Sequence, residues 1–417
     1  MKTPLRFAAL VAGLAIAASA CTPGATTAPS ESAAPSVAPS AAPSESAAPT
    51  TATLSGKLTI WHAYGSSGGN AEFKAFSRLL EKLKAANPDL QIEALDVPFD
   101  QLYKKFETES AAGGGPDMFI GPNDSLGSEV RGGFLVDLTG KIDDVLAQTN
   151  DVSIAGSTVD GKVYMVPESL KAVAMYYDSA KVANPPKTTD ELLAFVKGGG
   201  KLGLISGPYF GWGFYSAFGG KIFDDNNKCA ATANSGVADA MKYVAELKKA
   251  GALVDADYGK VNDAFKNGQI DIMMNGNWTL GDYKAARPAL GVAPVPSGPG
   301  GVAQTMVGVD GWYINAASSN QDLAIAVAKY LTSQESQETY VDVAGHVPAN
   351  KNITIIDPLV KSFSDAINQG MARPQSAEMN NYWGNFDNAW KEVLDKGTDP
   401  AKAVADACTA LDKANNK

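Results

Sequence analysis

The sequence predicts an α/β protein of two lobes with a hinge and a ligand cleft between them. Strands and amphipathic helices alternate from about residue 57, a second such series begins after about residue 163, and short segments link the halves. A mostly parallel sheet in each lobe follows from that alternation, with ligand expected beyond the carboxyl ends of the strands.

Each element has a local reason. "KLTIWHAY" (57–64) alternates and is rich in β-formers, so it reads as a strand. Asn70 is placed to cap a helix whose Phe73, Phe76, Leu80 and Leu83 share one face, and Asn87-Pro88 stops it. "LQIEALDV" (90–97), "FDQLYKKFETES" and "PDMFIG" (116–121) continue as strand, helix and strand. In the second half "KLGLIS" and "QIDIMMNG" read as strands, and "VADAMKYVAELKKAG" and "VNDAFKNG" as helices. "KVYMVPES" and "TMVGVDGW" read as crossings, which gives one lobe of 54–169 with 311–356 and another of 170–310 with 357–417.

The first fifty residues are of another kind. Lys2, Arg6 and an apolar run from Phe7 to Ala18 read as an export signal over residues 1–20. "ASAC" resembles a lipobox ending at Cys21, with Ala18 where that motif most often has Leu; Ala18-Ser19-Ala20 also fits ordinary signal cleavage. Residues 22–53 are almost entirely Pro, Ala, Ser, Thr and Gly, too poor in large apolar side chains to order themselves. With Cys21, they read as a lipidated, disordered tether that holds the body at a membrane on the extracytoplasmic side. Losing Lys2 and Arg6 with the leader takes the net charge from −10 to −12, which argues against nucleic acid as a partner. Cys229 and Cys408 remain as an even pair, and both a bridge and two buried thiols fit them.

Few residues offer chemistry. His62 and His346 are the only histidines and sit in no metal-binding spacing. There is no nucleophile elbow, Walker lysine or dinucleotide fingerprint, so neither a catalytic residue nor a cofactor is expected. Aromatic residues form a clearer pattern. "SGPYFGWGFYSAFGG" (206–220) sets six rings among five glycines. Tyr209 and Trp212 lie there, beyond a strand; Trp278 lies in "NGNWTL", Trp312 follows Asp310-Gly311, and Trp383 lies in "NNYWGNF". Flat rings beside Gly, Asn and Asp suit a sugar, whose apolar faces are edged by hydroxyl groups.

"GGGPDMF", "YFGWGFYSAFGGKIF", "AFKNGQIDIMMNGNW", "VGVDGWYINAASSN" and "MNNYWGNFDNAW", in that order, resemble the solute-binding proteins of carbohydrate ABC importers, closest to the maltose/maltodextrin-binding protein family. The resemblance covers about residues 57–412. It implies a periplasmic-binding-protein-like fold, a monomer that closes on a malto-oligosaccharide without converting it and delivers it to permease subunits. It also implies that Tyr209, Trp278 and Trp383 stack on glucose rings and that Asp124 bonds hydroxyl groups. Departures are visible: Gly121 and Ser125 stand where the family has Trp and Arg, and Lys171 stands for a glutamate, with Glu168 nearby. An Asp-Lys pair is replaced around Gly65-Ser66, with His62 and Tyr64 available. Trp212, Trp312, Asp310 and Arg373 complete the candidate contacts, although Lys171 and Arg373 fit a surface charge or a lobe ion pair equally well. Another oligosaccharide (a cyclodextrin, trehalose, a galactan or xylan oligomer) is the alternative ligand, and a secreted glycoside-acting enzyme the alternative class.

Overall fold

The computed structural model describes residues 53–65 and 70–417. The expected signal, Cys21, the tether up to residue 52 and Ser66 lie outside the described residues.

The chain enters the body as β1 (Gly56–His62), β2 (Leu90–Asp96) and β3 (Met118–Pro122), alternating with helices Ala71–Ala86 and Phe99–Ala111. The Asn70 side chain accepts the N–H groups of Glu72 (2.8 Å) and Phe73 (3.4 Å). A cap of this kind stabilises a helix by about 1 kcal/mol. A small hairpin, β4 (Thr158–Val159) with β5 (Lys162–Val163), precedes β6 (Met165–Lys171) and β7 (Val173–Asp178). Then follow β8 (Leu202–Ile205), β9 (Leu253–Asp255), β10 (Ile272–Gly276), β11 (Leu290–Ala293), β12 (Met306–Ile314), β13 (Val347–Pro348) and β14 (Met371–Ala372).

These strands form two large sheets. The first runs β13-β6-β12-β3-β1-β2, with β14 against β12; the second runs β11-β7-β10-β8-β9. Both are mixed, which corrects the expectation of mostly parallel sheets. β1 is parallel to β2 and β3, but β12 is antiparallel to both of its long neighbours and β7 is antiparallel to β10 and β11. The reason is topological: chain that returns from one lobe to the other re-enters a sheet from the opposite end. β6 belongs to the first sheet and β7 to the second, so the change of sheet falls at Ala172, beyond the expected 169/170 boundary. β12 likewise places residues 306–310 with the first sheet, ahead of the expected start at 311.

Cys229 and Cys408 are joined by a disulfide, with their Cα atoms 5.4 Å apart. The bridge ties Cys229, in the connection ahead of the helix Gly236–Ala250, to the last helix, Pro400–Ala414. Nearby, the backbone N–H of Cys229 donates to Asp412 at 2.8 Å.

Glu129 lies on the short helix Leu126–Arg131 beyond β3, and neither carboxylate oxygen has a partner. Burial, and then the Glu107 carboxylate, push its pKa up to about 9. A raised folded-state pKa means that the fold favours the protonated acid. This stabilisation is complete below the ordinary glutamate pKa near 4.5 and is lost as pH rises toward 9. Glu129→Gln should therefore match the wild type in thermal unfolding at pH 4, and at pH 8 exceed it by up to about 5 kcal/mol, the linkage cost of holding the acid protonated over the interval from 4.5 to 8.

Candidate functional site

Strand ends and one helix assemble the site. Asp124 stands just beyond β3, Tyr209 beyond β8 and Trp278 beyond β10, while Trp383 lies in the helix Met379–Lys396. Loops at the carboxyl ends of strands in an open α/β sheet leave the ladder and free their side chains.

The second sheet carries an aromatic group. The Tyr209 ring lies 6.0 Å from that of Trp278 and 6.5 Å from that of Trp383, centre to centre. All three are partly buried, and Phe210 backs Trp278 at 6.4 Å. The Trp278 indole N–H donates to the Tyr258 hydroxyl at 2.9 Å. Gly276 permits this pose, because a Cβ there would sit 1.8 Å from the Trp278 ring. Any larger residue would push the indole off the strand end.

The first sheet and its helices carry a polar cluster. Lys171 Nζ lies 2.7 Å from Glu72 Oε1, 2.7 Å from His346 Nε2 and 3.5 Å from Asp310 Oδ2. His346 Nδ1 lies 3.0 Å from Glu168 Oε2, and its Nε2 lies 2.7 Å from Glu72 Oε1. Ser169 Oγ donates to Glu168 at 2.6 Å. Glu168 and Lys171 are three residues apart and would face opposite sides of a regular strand. They share a side because β6 carries a bulge: Asp310 of β12 opposes Ser169, and Gly311 opposes Pro167, which leaves Glu168 as the extra residue.

Charge in this cluster is nearly balanced. Burial alone would push Glu72 up, but Lys171 and His346 together bring its carboxyl down to about 2. Glu168 is lowered in the same way, burial being outweighed by His346 and Lys171. Burial would neutralise Lys171 and His346, yet the surrounding carboxylates raise both. Two carboxylates thus face Lys171 and His346, and Asp310 is the fifth group. Burial raises its pKa to about 6, with Lys171 only partly opposing, and its Oδ1 has no partner. The Tyr64 hydroxyl is also buried and unpartnered at the edge of the cluster, where burial, Tyr340 and the Glu168, Glu72 and Asp310 carboxylates raise its pKa.

Not every expected residue is in the site. Trp312 is a correction: it is 0 % exposed inside β12 and packs 5.8 Å from Phe76 in the core. What read as a crossing is a nine-residue strand in the middle of the sheet, so its large alternate residues face inward. Trp212 is corrected likewise, being buried with its indole N–H toward Met371 Sδ at 3.0 Å and its ring against Tyr382. His62 is buried among Tyr64, Phe73 and Phe76, with Asp96 at 3.5 Å, and burial lowers its pKa. Arg373 pairs with Asp124. Glu72, His346, Tyr258 and Asn123 were not expected here. Only Asn123 carried a signal, as the neighbour of Asp124 beyond a strand; Glu72 and His346 are 274 residues apart and meet only in the fold.

Among the described residues, no group of three His, Cys, Asp or Glu side chains is arranged to hold a metal ion, and no helix is long and apolar enough to cross a membrane. Residues 78–367 match the family model of bacterial extracellular solute-binding proteins. The maltotriose-binding protein of Pyrococcus abyssi is 29% identical over 375 residues, covering 85% of this chain and 80% of that protein. The galactooligosaccharide-binding protein of Bacillus subtilis is 24% identical over 344 residues, 76% of this chain and 82% of the relative. Among solved structures, the Thermus thermophilus maltotriose binding protein bound with maltotriose superposes with a TM-score of 0.78 at 27% identity, covering 86% of this chain and all of that one (100%).

Proposed function

Because the chain belongs to the bacterial extracellular solute-binding proteins, we propose that it captures malto-oligosaccharide by closure of its lobes and hands it, unchanged, to the permease of an ABC importer. The observation that carries the proposal is the aromatic group at the strand ends of the second sheet. Three partly buried rings stand side by side there, and the Arg373 guanidinium, which pairs with Asp124, lies 5.4 Å from the centre of the Tyr209 ring. Rings of this kind cover the C–H faces of pyranosides, and carboxylates or a lysine accept or donate at the hydroxyl edges. Tyr209, Trp278 and Trp383 take the first role in this reading. Asp124 and Asp310 take the second, while Glu168, fully buried with its carboxylate on Ser169 and His346, and Lys171, held by Glu72 and Asp310, orient them from behind, with Tyr64 at the edge. The reading needs no catalytic residue. The sugar contributes by binding the closed state better than the open one, which shifts the population toward closure.

Cys21 carries the lipid in this proposal, and the segment up to residue 53 spaces the body from the membrane. Mass measurement of protein extracted from membranes tests the anchor: an unmodified N-terminus at residue 21 would refute it.

Calorimetry against maltose, maltotriose and a β-linked galactobiose tests the ligand. Heat with maltotriose and none with galactobiose is the expected result. The reverse would favour the second reading, a galacto-oligosaccharide, which the Bacillus subtilis relative motivates. Trp278→Ala and Trp383→Ala should each weaken maltotriose binding by about 1–3 kcal/mol, or roughly 5- to 150-fold. Unchanged affinity in both variants would make the rings structural only.

A further inference from the structure

Arg373 follows β14 and is fixed by its backbone, whose N–H donates to the Val307 carbonyl at 2.9 Å. Its guanidinium is buried and touches three segments. Nη1 donates to the Asp124 carboxylate and, at 3.1 Å, to Asn123 Oδ1; Nε faces Met306 Sδ at 3.2 Å; and the guanidinium carbon lies 5.4 Å from the centre of the Tyr209 ring. Asn123 is itself held, accepting the Val309 N–H at 3.1 Å and donating to the Gly156 carbonyl at 2.9 Å. β12 leaves room for the guanidinium at Gly308, where a Cβ would come within 2.9 to 3.0 Å of Nη1, Cζ and Nη2.

We infer that Arg373 is a positioning residue that ties Asp124, at the end of a first-sheet strand, to Tyr209, beyond a second-sheet strand, so that the hydroxyl-bonding corner and the stacking wall act as one unit. The assignment rests on the reading of Asp124 and Tyr209 as saccharide contacts. A guanidinium suits the task, because it can donate in its plane to Asp124 and Asn123 while presenting a face to an aromatic ring. An ammonium has the charge without the plane. Arg373 also occupies part of the Asp124 carboxylate, which orients the remaining oxygen instead of leaving it free to rotate. Its own contact with sugar is not required.

Two measurements on the full chain test this. In calorimetry with maltotriose, Arg373→Gln should weaken binding by about tenfold or more, in line with loss of a buried charged partner. Arg373→Lys should recover part of the loss. In an Asp124→Ala background, Arg373→Gln should add less than about twofold, because coupled residues are not additive. Fold-changes that simply multiply would show that Arg373 acts on its own and would overturn the inference. The second measurement needs no sugar: hydrogen exchange of the segment 207–214, which holds Tyr209. Asp124→Ala should speed exchange there although it lies beyond the other sheet, and should have no such effect in the Arg373→Gln background. Exchange in 207–214 that ignores Asp124→Ala would overturn the inference. Wild type that shows the exchange coupling but binds no maltotriose would leave the tie standing and would count against the saccharide reading.

Discussion

Replacing Cys229 and Cys408 with serine, or reducing the bridge, should lower the unfolding free energy by about 5 kcal/mol, on a chain-entropy estimate for a loop of 179 residues. The effect is large because the closed loop is long and takes in strands of both sheets. An unfolded chain tied at these positions has lost a wide range of conformations that the reduced chain regains. For a body of this size, the change corresponds to about 7 °C in Tm. The bridge joins two parts that pack in one core, the connection ahead of the helix Gly236–Ala250 and the helix Pro400–Ala414, so lobe closure should not depend on it. Differential scanning calorimetry of the oxidised, reduced and double-serine proteins checks the first claim, and maltotriose titration well below Tm checks the second. Equal transitions with and without the bond would mean that the unfolded chain retains enough structure around these cysteines to make the link redundant.

The three neighbouring rings were legible in the sequence, and so were Lys171, Glu168 and Asp310 as candidates, but their partners Glu72 and His346 were not. Tyr209, Trp278 and Trp383 announce themselves because a large ring beside Gly or Asn at a strand end has no business in a core. Their proximity, within 6.5 Å, is consistent with that local signal. Trp312 shows the limit of the same argument. "VGVDGW" has the composition of a turn, but in the fold it is the middle of β12, flanked by β3 and β6. Alternation alone could not tell a crossing from a long central strand. How the polar cluster closes was hidden for another reason. Glu72 sits in the first turn of a helix, where an acidic residue is ordinarily explained by the helix dipole. His346 is silent without its partners, and Glu168 faces Lys171 only through a bulge that depends on the strand beside it. Of the element positions, those set by caps and turns were readable, as Asn70 shows; the direction of each strand was not, because it depends on how often the chain crosses between lobes.

Removing the cation at the middle of the cluster should be the most damaging single change in the first lobe. Lys171→Met keeps the length of the stem but leaves Asp310 without its nearest positive charge and Glu72 with His346 alone, and breaking a buried pair in this way costs about 3–5 kcal/mol. The pH dependence separates this cause from lost packing. Glu72 has a folded-state pKa of about 2, below the ordinary 4.5, so its contribution is present above pH 4.5 and is lost as pH falls toward 2. That difference corresponds to about 3 kcal/mol at neutral pH. Without Lys171 the carboxyls of Glu72 and Asp310 should both rise. Their protonation in mild acid then relieves part of the damage. Chemical denaturation should accordingly show a large deficit for Lys171→Met at pH 8 and a smaller one at pH 5. A packing defect would give the same deficit at both. Glu72→Gln supplies the complementary case: with one anion removed, Lys171 still faces Asp310, so the loss should be smaller and the acid limb of the wild-type curve should flatten. A deficit in Lys171→Met that does not change with pH would mean that the charges balance by other routes and that Lys171 matters mainly for its stem.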